Sequence, residues 1–310
     1  NFLGPVSLFS KNPNLLRSGF FATFWNTSTA STVLVLYHVT MCALPGHSMM
    51  LPSVRILESG TNEDLHNLVK KVDLVRMRDA DNNTLLHHAC LLGNLEAVRL
   101  LIDSGLHPDI GNVDGQTPLC DAALHGSTDI VSLLLSSGVD VNPLSYWGSP
   151  LMYATQNENL GAMQLLIDAG AELNSPDRSG FCPLHVAVRR QFYAGARALL
   201  LGGADPNCRA RLTTPLHLAA KLDDLFMASI LLAHGAYPTP LDMDNFTPVD
   251  YAPKGSRLHQ ILNAVQHNVP SLQSIARLTV RNKLRPPKLE ALGKLNLPPS
   301  LCDYLTFNRL

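Results

Sequence analysis

The chain has 310 residues, 46% hydrophobic and 16% charged, with a formal net charge of −1. That apolar share excludes a globally disordered chain, and the near-neutral balance excludes a chain-wide electrostatic case for nucleic acid. The six cysteines, Cys42, Cys90, Cys120, Cys182, Cys208 and Cys302, are scattered without a CxxC pair, which excludes a dense secreted disulfide framework and reads as reduced thiols in a cytoplasmic protein.

Residues 1–50 are expected to be a disordered or non-native segment. The chain begins at Asn1, and Met49 and Met50 offer alternative starts. STVLVLYHVTMCAL, residues 31–44, is apolar for 14 residues, against the roughly 20 that a membrane span requires. Lys11 and Arg17 precede it, so a targeting signal is the alternative. Asn26, Asn82 and Asn245 fit N-x-[ST]; in a cytoplasmic chain these are chance matches.

From residue 60 onwards the chain is dominated by self-similarity. The unit DGQTPLCDAALHGSTDIVSLLLSSGVDVN, residues 114–142, returns with changes at 81–109, 146–174, 178–207 and 211–238. The position held by Thr84 recurs at Thr117, Ser149, Cys182, Thr214 and Thr247, in steps of 33, 32, 33, 32 and 33 residues. NEDLHNLVKKVD (62–73) forms a leading half unit, and DNFTPVDYA (244–252) a partial sixth. Within each unit, Pro118 or Pro215 suits the first turn of a helix, where its missing N–H is not needed. Gly138, Gly170, Gly203 and Gly235 suit the left-handed residue that ends a second helix. A turn and two helices cannot bury their apolar face alone, so stability must come from stacking.

The TPLHxA and LLxxGADxN patterns resemble the ankyrin repeat, over residues 60–265. The resemblance implies an all-α solenoid of about six repeats with a half-repeat cap and a concave surface open to a partner.

Chemical motifs inside the array are read structurally. Cys182 and His185 stand three apart, and His87, His88 and Cys90 cluster. Repeat register explains these positions, and the ankyrin resemblance implies that the TPLH histidine hydrogen-bonds a neighbouring turn. A zinc site needs four convergent ligands, and no second pair lies at suitable spacing, so no metal and no cofactor are expected. Phosphate loops and catalytic constellations are absent, so no enzymatic activity is expected.

A protein target is expected to meet the finger tips and inner helices. SYWG (145–148) puts Tyr146 and Trp147 at one tip, a pairing suited to a binding hot spot; the alternative is that Trp147 folds back onto the next finger. RRQFY (189–193) has Gln191 where a glycine turn is usual and adds Arg189, Arg190, Phe192 and Tyr193. With Arg178, Arg209 and Arg211 on neighbouring fingers, these residues suit an acidic protein segment; ordinary solvated finger residues are the alternative.

The tail, residues 268–310, differs in kind. Residues 271–310 hold seven basic and two acidic side chains, a net of +5 that leaves −6 for the remainder. Ser271 suits a helix N-cap, and Leu272, Ile275, Ala276, Thr279 and Val280 then share one helical face. LNLPP and SLCDYLTF come next. This order resembles a SOCS box: an elongin-binding segment, then a cullin-binding segment of the form L-P-[aliphatic]-P. Ala276 stands where that pattern has cysteine, and Asn296 where it has proline.

Residues 60–310 therefore resemble the ankyrin repeat and SOCS box family. The resemblance implies a substrate receptor of an elongin B/elongin C–cullin-5–RING ubiquitin ligase. Leu272, Ile275, Ala276 and Val280 would meet elongin C, and Leu295, Leu297 and Pro298 the cullin. The array would hold an unidentified protein target, with no nucleic acid and no membrane. The rival is an ankyrin scaffold or inhibitor whose tail only caps the solenoid.

Overall fold

The structure, a computed structural model, describes residues 50–71, 77–143 and 145–267. Among them are fourteen helices and no named strand, only one isolated bridge between Ala210 and Thr213. The leading pair is α1 (Met50–Ser59) and α2 (Asn62–Lys71). Four antiparallel pairs come after it: α3 (Leu85–Leu92) with α4 (Leu95–Asp103), α5 (Pro118–His125) with α6 (Thr128–Ser136), α7 (Pro150–Gln156) with α8 (Leu160–Asp168), and α9 (Pro183–Arg189) with α10 (Tyr193–Gly202). The array closes with α11 (Pro215–Lys221), α12 (Leu225–Ala233), α13 (Pro248–Tyr251) and α14 (Arg257–His267). The expected all-α solenoid is what the described residues form.

These helices run for four to eleven residues, too short to persist alone in water. Each is held by local capping and then by its neighbours. Proline opens α5, α7, α9, α11 and α13 behind an extended N-cap residue. The inner helices α1, α3, α5, α7, α9, α11 and α13 pack in one continuous row, and α2, α4, α6, α8 and α10 form the row behind it. Between the rows runs a single core of Leu, Ala, Val and Ile, including Leu86, Leu119, Leu151, Leu184 and Leu216, all fully buried.

Polar ladders set the register between units. The side chain of Asp109 accepts the backbone N–H of Asp140 (3.0 Å), and Asn142, Asn174 and Asn207 do the same for Glu172, Asp205 and Tyr237. Within the fingers, the side chains of Asp79, Asn112, Asp177 and Asp242 each accept the N–H four residues on, and their own backbone N–H groups donate to the carbonyl of that same fourth residue. These bonds satisfy turn backbone that would otherwise lie unpaired next to the core.

The turn inside each pair needs a left-handed residue. Gly93, Gly126, Glu158, Gln191 and Asp223 fill it with φ between 51° and 87°. At Gly126 the need is double: φ is 87°, and an added Cβ would come within 2.5 Å of the Asn159 carboxamide. Asn159 donates from Nδ2 to the carbonyls of Ala123 and Leu124, both at 3.0 Å. Gly126→Ala is therefore expected to destabilise the chain by about 2–3 kcal/mol, from left-handed strain plus displacement of those bonds. Urea unfolding checks this, and a loss below about 0.5 kcal/mol contradicts it.

Candidate functional site

The TPLH histidines come first because they position the fingers. His87 lies at the third position of α3, where its Nδ1 accepts the backbone N–H of Thr84 at 3.1 Å. Its Nε2 lies 3.0 Å from the carbonyl oxygen of Gln116 in the next finger. A carbonyl only accepts, so Nε2 carries the proton and the ring is neutral. His217 repeats this with Thr214 and with Phe246 in the following finger. Burial pushes the His87 pKa down to about 4, only partly offset by the Gln116 carbonyl. The geometry supports a structural role for these histidines.

Along the finger tips, three units meet. The Arg178 guanidinium lies over the Tyr146 ring, 4.4 Å from its centroid. Trp147 stands edge-on to Tyr146, with ring centroids 4.9 Å apart. Its indole Nε1 donates to Asp114 Oδ2 at 3.0 Å, and the Tyr146 N–H donates to the Asp114 carbonyl at 2.8 Å. Trp147 thus ties back to the preceding finger and still leaves 43% of its surface exposed, with Tyr146 at 45%. Aromatic anchors held rigid yet half exposed, with a stacked cation beside them, are the chemistry of protein recognition.

The other expected contact residues divide. Arg211 is exposed on the finger before α11, with φ 50°. Arg189 and Arg190 sit at the far end of α9, about 10 Å along the helix from the finger tips. The Arg189 guanidinium runs back over the Phe181 ring at 5.5 Å, and Phe181 stands edge-on to His185. Phe192 is half-buried, packed on the core and against Gly195, so its ring belongs to the helix turn and not to the arginine surface. Sequence reading brought Tyr146, Trp147 and Arg178 forward but missed Asp114 and Phe181, whose roles depend on which fingers become neighbours.

It also missed Cys208. Cys182, His185 and Cys208 bring two sulfurs and a ring nitrogen within 4.8 Å of one another, all three residues buried. The Cys182 thiol is drawn down to about 5, chiefly by the hydrogen bond from the Cys208 thiol, with burial opposing and His185 assisting. Cys208 is pushed up by the same contact and by burial.

The contacts expected of the tail, Leu272, Ile275, Ala276 and Val280 for elongin C and Leu295, Leu297 and Pro298 for the cullin, lie outside the described residues, as does the N-terminal segment through residue 49. No helix among the described residues is long and apolar enough to cross a membrane.

Comparison with known proteins places these features. Residues 55–145 and 146–210 match the family model for ankyrin repeats (3 copies), residues 212–243 that for a single ankyrin repeat, and residues 268–306 that for the SOCS box. Ankyrin repeat and SOCS box protein 5 of Bos taurus is 33% identical over 125 residues, 40% of this chain and 38% of that protein. Ankyrin repeat and SOCS box protein 11 of Danio rerio is 30% identical over 160 residues, 52% of this chain and 54% of that protein. The B-cell lymphoma 3 protein homolog of Mus musculus is 32% identical over 174 residues, 52% of this chain and 38% of that protein. The chain thus spans about half or less of these relatives' length. The crystal structure of the human ASB11 ankyrin repeat domain superposes with a TM-score of 0.63 at 26% identity, covering 71% of this chain and 99% of that one.

Proposed function

This chain belongs to the ankyrin repeat and SOCS box family, and from that membership we propose that it is the substrate-recognition subunit of a ubiquitin ligase. The observation that carries the reading is the SOCS box match at residues 268–306, directly behind a repeat array. The array binds a protein target and the tail delivers it; the chain performs no chemistry of its own. Its effect is to raise the local concentration of a target lysine near a charged ubiquitin-conjugating enzyme.

In the finer form of this proposal, Leu272, Ile275, Ala276 and Val280 dock on elongin C, and elongin B joins through it. Leu295, Leu297 and Pro298 face cullin-5 with its RING protein. The target meets the surface built by Tyr146, Trp147 and Arg178, with Arg211 on a further finger and Arg189 and Arg190 on the inner helix. An arginine stacked on one of two adjoining exposed aromatic rings suits an acidic segment that carries an apolar anchor.

Co-expression of the full chain with elongins B and C tests the reading. The native chain is expected to co-elute with both in size exclusion. Leu272→Asp, which puts a charge where an apolar anchor is needed, is expected to bind more than about 100-fold more weakly, while its array melts as the native one does. A native chain that elutes alone, or a Leu272→Asp variant that co-elutes equally, overturns it. The second reading, a scaffold without ligase function, draws on Ala276 and Asn296, which depart from the SOCS box pattern.

A further inference from the structure

We propose that Cys182, His185 and Cys208 form a three-coordinate site for a thiophilic d10 cation, Cu(I), clamping the α9 unit to the finger before α11. The first argument is donor geometry. His185 Nδ1 lies 3.6 Å from Cys208 Sγ, and all three donor atoms fall within 4.8 Å of one another. With metal–sulfur and metal–nitrogen bonds of about 2.3 and 2.0 Å, ligands at about 120° on one trigonal ion stand about 3.7 Å (nitrogen–sulfur) and about 4.0 Å (sulfur–sulfur) apart. The nitrogen–sulfur edge, at 3.6 Å, is within about 0.1 Å of that length.

The second argument is the state of the imidazole. His185 Nε2 sits 3.0 Å from the Thr213 carbonyl oxygen, so the ring donates there and keeps its lone pair on Nδ1, beside the thiols. A backbone carbonyl on the far nitrogen is the outer partner that metal-bound histidines characteristically use. The competing demand on Nδ1 is weak: the Cys182 N–H reaches it at 3.3 Å. At the matching sites, Thr84 and Thr214 place hydroxyls 2.9 and 2.8 Å from Nδ1.

The third argument is register. Position 182 is Thr, Ser or Cys through the array, and position 208 corresponds to Ile110 beside His87 and Pro240 beside His217. The fold supplies the histidine three times, but only here does it surround the ring with two sulfurs. Soft donors select Cu(I) or Zn(II). Structural zinc is four-coordinate, and among the described residues no fourth His, Cys, Asp or Glu joins this cluster. Two thiolates, formed as the thiols release their protons to solvent, and one imidazole suffice for trigonal Cu(I).

The test uses the full chain, reduced and stripped of metal, titrated with Cu(I) against a chromophoric Cu(I) chelator. One equivalent is expected to bind, with thiolate-to-copper absorption in the ultraviolet and a rise in melting temperature. Cys182→Thr, which restores the residue of the matching units and so keeps the cap, and Cys208→Ser are each expected to weaken binding by more than about 100-fold, beyond what loss of an outer partner causes. Cys120→Ser is expected to change nothing. Stoichiometric Zn(II) uptake without Cu(I) uptake, binding that survives both cysteine variants, or a reduced chain that takes up no copper and only forms a Cys182–Cys208 disulfide in air would each overturn the proposal.

Discussion

Replacing Leu166 by alanine is expected to destabilise the array by about 3–5 kcal/mol. Leu166 lies on α8 in the middle of the outer row and has no exposed surface. It loses the transfer energy of the missing carbons and leaves a cavity that α6 and α10, packed on either side, cannot close without breaking their own contacts. Native stability of a chain this size is only about 5–15 kcal/mol, so one truncation removes about a fifth of it or more. In a solenoid each unit is stabilised by its neighbours, so weakening the central one also divides the array. Urea unfolding followed by circular dichroism is expected to broaden or show two steps, where the native chain shows one. A single transition displaced by less than about 1 kcal/mol contradicts this account.

Acid is the second strong lever, and its sign requires two groups. His87 is neutral in the fold, with a pKa held near 4 by burial against 6.5 in the unfolded chain. Between those values the unfolded state binds the extra proton, so stability falls as pH drops from 6.5 towards 4. The loss reaches about 2 kcal/mol by pH 5. His217 and His125 are shifted the same way, also by burial. Asp121 opposes them. Burial first, and the nearby Asp79 charge second, push its carboxyl well above the usual range. There the folded state holds the proton, so acidification stabilises the fold through this group. Asp121→Asn removes that opposition. In the variant, unfolding free energy is expected to drop by about 2 kcal/mol or more between pH 7 and pH 5, whereas the native chain changes less. Equal pH dependence in the two proteins would show that Asp121 titrates normally. Below pH 4 a further loss is expected from Asp79. Burial alone would raise its pKa, but the His88 and Asn83 hydrogen bonds outweigh that and hold it near 2.

The repeat was legible in the amino-acid order alone, and for a physical reason. A solenoid writes its contacts at a fixed offset, so the 32- and 33-residue steps from Thr84 to Thr247 report stacking directly. Helix starts at proline and the left-handed ends at Gly138, Gly170, Gly203 and Gly235 are local backbone demands, readable one residue at a time. The SOCS box match likewise rests on contiguous residues. Gln191 was visible as an odd turn residue, and its φ of 55° shows a non-glycine side chain carrying the same left-handed turn.

Which side chains of different units meet became clear only from the packed array. Asp114 and Trp147 are 33 residues apart, and Arg178 reaches Tyr146 across a further unit; the lateral offset of the fingers makes those pairs. Phe192 looked like a surface aromatic because its neighbours are charged, yet its position at the N-cap of α10 turns the ring onto the core. Cys182 and His185 read as an incomplete pair because the third donor, Cys208, arrives from the next unit's turn. Periodicity gives the position of each residue within its own unit, whereas a site between units depends on the width of one repeat, which is a property of packed helices and not of any local pattern.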